Sequence, residues 1–428
     1  MSESDHHHRL APWLLRRVVA PVVAVATLAT PSGAFLAGDA APATPVTHGP
    51  EITQVVSAPR ATQAAGSQIQ SQLAATIGDF NGASAAVVHA TDRAGISLDV
   101  LRVINGATAG NYLGVYHHQA VDGSFSMRLA TSTDLTHWST SVVLANNATN
   151  PFLTRLTDGS YLLAFEKVAG GHSEVSLAHY ANLQSLLQAK VDRTVDLPRT
   201  LSSLNEGTPT IESVNLAAGA SATSSSGTDL NNSTMTIRFH YNHDGRRDLE
   251  AVGVLTGFTA WTAHADPALD GAVTSLGAAG SLGDRSEITV AGHTFTLIEG
   301  ERTAHDLQSY GAYLVDNATG TAVPVPLRSP WGVSAVGNNH VSIVSGPHGQ
   351  QEMVTTMFGF APNGAGELIG VHPLPAVPAR TPSGTPGAVV SSVAQHRSEA
   401  KGPLRSGPHR TDQLGSGQNG PGHGHHVG

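Results

Sequence analysis

Short runs of alternating apolar residues, each stopped by Gly, Asp or Asn, fill the chain between Ile77 and Leu374. Tyr112–His117 leads through Asp122-Gly123 to Phe125–Ala130, and Asp158-Gly159 opens Tyr161–Glu166, which is followed by Glu174–Tyr180. In the same way Met235–Tyr241 pairs with Leu249–Leu255, His293–Glu299 with Gly311–Val315, and Val341–Val344 with Met353–Phe360. Side chains alternate between the two faces of a strand, so such runs, rich in β-branched and aromatic residues and bounded by turn formers, specify strands. The pairs recur about every 45–60 residues, the interval of propeller blades. The expectation is all-β: a five-bladed β-propeller of four-stranded antiparallel blades over residues 76–379. A β-sandwich is the alternative, but its strands would not recur as four-stranded groups at this spacing. A single short helix is expected, around Leu183–Lys190.

Composition agrees with a turn-rich β chain. Charged residues make up 13% of it, about half the roughly 25% of an ordinary soluble domain. Coiled coils and basic nucleic-acid binders need more charge or a positive excess. With no cysteine, disulfides, thiolate metal sites and thiol nucleophiles are excluded. Residues 1–40 read as an export signal: Arg9 and Arg16-Arg17 precede the apolar run Val18–Ala29, and small residues follow. Pro21 and Pro31 interrupt a stretch already short for a membrane span. The expectation is therefore a secreted protein with no stable span once the signal is cleaved. Residues 41–75 read as a linker, and 380–428 as a disordered Gly/Pro/His-rich tail. The tail's His423-Gly424-His425-His426 could chelate a metal, but a solvated tail is the simpler reading. Between 41 and 379 there are 15 Lys and Arg against 27 Asp and Glu. An acidic body argues against nucleic acid and anionic substrates and leaves a neutral glycan as the expected partner. Nothing in the sequence asks for more than a monomer.

Three segments carry a resemblance to a known family. Ser132-Thr133-Asp134-Leu135-Thr136-His137-Trp138 is similar to a motif that closes the outer strand of a blade in the five-bladed β-propeller glycoside hydrolases, the arabinanases, xylosidases, levansucrases and invertases. Asn150-Pro151-Phe152 with Asp158-Gly159-Ser160-Tyr161-Leu162 resembles that family's second-blade pattern, and Asn205-Glu206-Gly207-Thr208-Pro209 its general-acid segment. Ser132–Trp138 also resembles the Asp-box of sialidases, a structural turn, and Asp134 and Trp138 are read in that role.

Glycoside hydrolysis needs two carboxyl groups across the scissile bond, one protonated and one ionised. The resemblance implies Glu206 as the acid. It implies a base near the start of the first blade in an Ala-Asp-Pro context, which is absent between Ala75 and Asn111; Asp99 and Asp92 stand there by position only. The second-blade aspartate that tunes the acid is matched by the amide Asn150. Asp284 is a further carboxylate candidate, with Arg285 as a holder of sugar hydroxyls or partner of an internal ion pair. Glu166, Glu299, His117 and His240 lie at strand ends where a channel could use them. Trp261 and Trp331 are candidates for stacking on sugars or for core packing. No cofactor motif occurs. The resemblance admits only a structural calcium in the channel, where some relatives place a histidine beside the ion. The expected function is a secreted glycoside hydrolase-like propeller acting on a neutral polysaccharide or oligosaccharide. The alternative is a non-catalytic propeller that binds carbohydrate or a protein partner.

Overall fold

A computed structural model describes residues 60–216, 230–243, 245, 247–361 and 364–375. The export-signal and tail segments lie outside these residues. Five four-stranded antiparallel sheets form the blades. Blade 5 borrows its outer strand from the front of the chain, β1 (Ala85–Val88). Blade 1 is β2 (Arg102–Asn105), β3 (Tyr112–Gln119), β4 (Phe125–Ser132) and β5 (Val142–Asn146). Blade 2 is β6 (Ala148–Arg155), β7 (Tyr161–Ala169), β8 (His172–Tyr180) and β9 (Arg193–Asp196). Blade 3 is β10 (Glu206–Asn215), β11 (Thr234–His243), β12 (Arg247–Thr256) and β13 (Ala260–Ala265). Blade 4 is β14 (Leu282–Val290), β15 (His293–Glu301), β16 (Tyr310–Asp316) and β17 (Thr321–Pro324). Blade 5 is β18 (Ala335–Ser345), β19 (Gln351–Ala361) and β20 (Gly364–Pro373), with β1 paired to β20 from Ala85↔Val371 to Val88↔Leu368. The first strands β2, β6, β10, β14 and β18 touch one another in a closed ring and line the central channel. Closing blade 5 with β1 locks the start of the propeller to its end, which leaves the ring no open seam.

The alternation seen in sequence is the alternation of two buried sheet faces. Leu162, Ala164 and Leu177 of blade 2 pack against Ile237 and Phe239 of blade 3, while Leu163 and Phe165 pack against Val115 and Met127 of blade 1. Blade-to-blade packing buries both faces, so a propeller can forgo disulfides.

Of the expected linker 41–75, residues 60–75 are helical and 41–59 lie outside the described residues. The helix is α1 (Arg60–Ile77), whose Ile69, Leu73 and Ile77 recur at helical spacing and pack with Phe80, Leu314 and Val325. Gln70 Nε2 donates to the carbonyls of Leu314 at 2.9 Å and Thr321 at 2.7 Å, covering the edge of blade 4. The expected helix is α2 (Leu183–Leu187), capped by Asn182. A third helix, α3 (Pro267–Thr274), carries the start signal of an Asp266 cap followed by proline at its first turn. Trp261 packs on Gly253 and Phe239, and Trp331 on Phe80, so both serve the core.

The Ser132–Trp138 segment is a self-bonded turn. Asp134 Oδ1 accepts from the amides of Thr136 at 2.9 Å and His137 at 2.8 Å, and Trp138 is buried against Gly114. Burial pushes the Asp134 carboxyl up, but the amides of His137 and Thr136 outweigh it and hold the group well below the usual range. Asp134→Ala is expected to cost on the order of 1 kcal/mol, the scale of a lost capping side chain. Chemical denaturation of the purified variant would show it, and an unchanged midpoint would remove the turn from the account of stability.

Candidate functional site

The channel mouth is built from one backbone device used repeatedly. The ladder between first and second strands slips by one residue between Thr149 and Phe152, Gly207 and Thr210, Leu282 and Arg285, and Gly337 and His340. A bulge of this kind bends the strand and re-aims its side chains. Asn150 (φ 49°), Thr208 (φ 50°) and Asn338 (φ 52°) occupy its first position in the left-handed region, as does Val100 (φ 59°) ahead of β2. Such φ values are costly for β-branched Thr and Val, and strain of this kind concentrates at functional sites.

Each bulge exposes backbone amides; side chains from a neighbouring blade take them up at four of the five blade starts, and in blade 4 Glu299 of the same blade does so. His117 Nδ1 accepts from Asn150 N at 3.2 Å, and Glu166 Oε2 from Thr208 N at 3.2 Å. Glu299 accepts from Asp284 N at 3.1 Å and from Asn338 N. Glu367 accepts from Val100 N at 3.0 Å and Leu101 N at 3.3 Å. Between blades 3 and 4 a buried contact of Arg285 with Glu250 makes the link. His117, Glu166 and Glu299 are therefore inter-blade anchors, and His240 stands at the equivalent place of blade 3, opposite Gly207. Gly207 and Gly283 are required here, because a Cβ at either would overlap the carboxylate of Glu166 or Glu299.

Each of the three catalytic candidates has protein partners of its own. Glu206 Oε1 receives the amides of Thr200 at 2.7 Å, Leu201 at 2.6 Å and Ser202 at 3.0 Å, and so fastens the loop before β10. Asp284 pairs with Arg102, whose Nη1 also donates to the carbonyls of Leu101 and Asn338, each at 3.2 Å. This pair, with Phe152 against His340 at 5.9 Å between ring centres, fills the channel core. Asp99 is bonded by Ser97, and burial pushes its carboxyl up to about 6 despite that bond. None of the three lines either of the cavities at the mouth described next.

The axial cavity has a volume of about 60 Å³ and is bordered by Asn150, Thr208, His240, Gly283, Glu299 and Asn338. That is far below the volume of ordinary small-molecule sites. Beside it, between blades 1 and 2, lies a cleft of about 540 Å³, within the roughly 300–1,000 Å³ of small-molecule sites. Its lining includes His117, Phe125, Asn147, Asn150, Glu166 and Val168. Asn150 borders both spaces, and its Nδ2 donates to Glu166 Oε2 at 2.8 Å and Thr208 Oγ1 at 3.2 Å.

The channel does not suit calcium, which takes six to eight oxygen ligands. Its centre is the Arg102 guanidinium, Asp284 is already paired with it, and the neighbouring imidazoles are held neutral. Burial, with Arg102 as a second cause, pulls His117 down to about 3 and His340 well below its ordinary value. Among the described residues no group of three carboxylates or histidines is placed to hold a metal.

No protein-family model and no curated protein matches the chain. Solved structures similar in fold include a thermostable family-43 glycoside hydrolase, at 12% identity and a TM-score of 0.43, covering 68% of this chain and 91% of that one. An α-L-arabinofuranosidase from Lactobacillus brevis shows 9% identity and a TM-score of 0.45, covering 64% of this chain and 90% of that one. An exo-1,5-α-L-arabinanase from a bovine ruminal metagenomic library shows 13% identity and a TM-score of 0.41, with 64% and 92% covered. The resemblance to five-bladed glycoside hydrolases is one of fold. Among the described residues no helix is long and apolar enough to cross a membrane.

Proposed function

We propose that the chain is a secreted propeller of glycoside hydrolase type that binds a neutral glycan at its channel mouth without cleaving it. The observation that carries this reading is the state of the carboxylates. Hydrolysis needs two carboxyl groups roughly 5–9.5 Å apart with the sugar between them. Here the positions around the axis hold Val100, Asn150, Thr208, Gly283 and Asn338, and Glu166, Glu299 and Glu367 are tied to backbone amides of the bulges. Amide, hydroxyl and imidazole groups remain at the mouth, the polar set that orients a polyhydroxyl ligand in a largely apolar pocket. The acidic body disfavours an anionic glycan, and the leader at residues 1–40 fits an extracellular one.

Purified protein, incubated with arabino-, xylo- and fructo-oligosaccharides, is expected to bind at least one series by calorimetry and to release no reducing sugar. Release of reducing sugar that disappears in Glu206→Gln or Glu166→Gln would overturn the reading in favour of hydrolysis.

A further inference from the structure

We infer that the ligand sits off the propeller axis, in the cleft between blades 1 and 2, as the end of a neutral oligosaccharide stacked on Phe125 and hydrogen-bonded to Glu166. This rests on the glycan-binding reading and gives it a place. Size decides against the axis: about 60 Å³ there faces about 540 Å³ in the cleft. The wall between them is Asn150, latched to Glu166 and Thr208, so a ligand in the cleft is held away from the channel core.

The cleft lining mixes the apolar and polar groups that a sugar ring needs. Its apolar part is Val121 on the β3–β4 hairpin, fully exposed, Val168, 40% exposed, and the Phe125 ring, in edge contact with His117 at 5.4 Å. An aromatic face loses little freedom when the C–H face of a pyranose or furanose covers it. Its polar part is Asn147, Asn150 and Glu166. Glu166 is only 6% exposed, and its Oε2 serves Asn150 and Thr208. Glu166 lines the cleft, and there a sugar hydroxyl can donate to its carboxylate in place of water. Two amides on Oε2 fix the orientation of the Glu166 carboxyl group.

The test uses the full chain and the oligosaccharide series that it binds. Val168→Trp fills the cleft from an exposed position, and Phe125→Ala removes the stacking face. Each is expected to weaken binding at least tenfold, with an unchanged circular dichroism melt showing that the fold is kept. Leu307→Ala enlarges the axial cavity, which Leu307 lines, and is expected to leave affinity within twofold. Wild-type affinity in both cleft variants, or a tenfold loss in Leu307→Ala alone, would overturn the off-axis seat while glycan binding stands. Absence of binding to every neutral series by the wild type would overturn glycan binding itself, and the seat with it.

Discussion

Arg102→Met is expected to destabilise the protein by roughly 3–5 kcal/mol, the range for removing one partner of a buried ion pair. Arg102 is 3% exposed and Asp284 2%. Its guanidinium is the tie that crosses the channel, joining β2 of blade 1 to Asp284 in blade 4 and to the Asn338 carbonyl in blade 5. Burial pulls the Arg102 pKa down to about 10, with Glu367 and Glu299 opposing, so it stays cationic at neutral pH. Methionine matches much of its length but leaves Asp284 as an unpaired buried charge and the Leu101 and Asn338 carbonyls without a donor. Urea denaturation of Arg102→Met, of Asp284→Asn and of the double variant would measure the coupling. The double variant should recover more than 1 kcal/mol relative to the sum of the single losses. Additive losses would mean that the two groups do not stabilise the ring as a pair.

Why Arg102 escaped the sequence reading while the blades did not is a matter of range. Strand and turn signals are local, and the paired runs from Tyr112–His117 to Met353–Phe360 correspond to adjacent strands in every blade. The helix α1 was hidden for a different reason. Its Ile69, Leu73 and Ile77 keep a spacing of four, but Ala, Gln and Ser around them resemble a linker when composition is read before periodicity. The site depends on equivalence between blades. Val100-Leu101-Arg102, Asn150-Pro151-Phe152, Thr208-Pro209-Thr210, Gly283-Asp284-Arg285 and Asn338-Asn339-His340 occupy matching places at the mouth. At each place only two of the five blades share a residue type (Asn150 and Asn338, Pro151 and Pro209, Arg102 and Arg285), so only alignment of the five blade starts would have exposed Arg102, Thr208 and Asn338. Asn150 did stand out as an amide where the family keeps a carboxylate, and the structure gives that amide two side-chain partners. The direction of the Glu206 side chain was beyond reach, because three amides of the preceding loop set it.

The same buried ionisable groups predict an unusual pH dependence of stability. Burial pushes Glu250 up to about 8, with Arg285 opposing, and pushes Glu367 well above its ordinary value. A carboxyl whose pKa is raised in the folded state contributes stability that is complete below about 4.5 and is lost as pH rises through the folded value. The buried histidines act the other way. His117 and His340 are depressed by burial, so their contribution is present above about 6.5 and is lost as pH falls. The two sets oppose each other between about pH 4.5 and 6.5. Above that window the histidines are neutral in both states, and only the raised carboxyls still change. Stability is therefore expected to fall between pH 6.5 and pH 8. At about 1.4 kcal/mol per pH unit for each such group, Glu250 accounts for about 2 kcal/mol of that fall. Asp270, raised to about 6 chiefly by burial, and Asp266 both face Glu250 and add repulsion once it ionises, while Arg285 limits the loss. Glu250→Gln cannot ionise, so its unfolding free energy should decline less steeply between pH 6.5 and 8 by about that amount, whatever its absolute stability. Denaturant titrations at half-unit pH steps would give both slopes. Parallel slopes for wild type and variant would mean that Glu250 is ionised throughout this range and that its pairing with Arg285 prevails over burial.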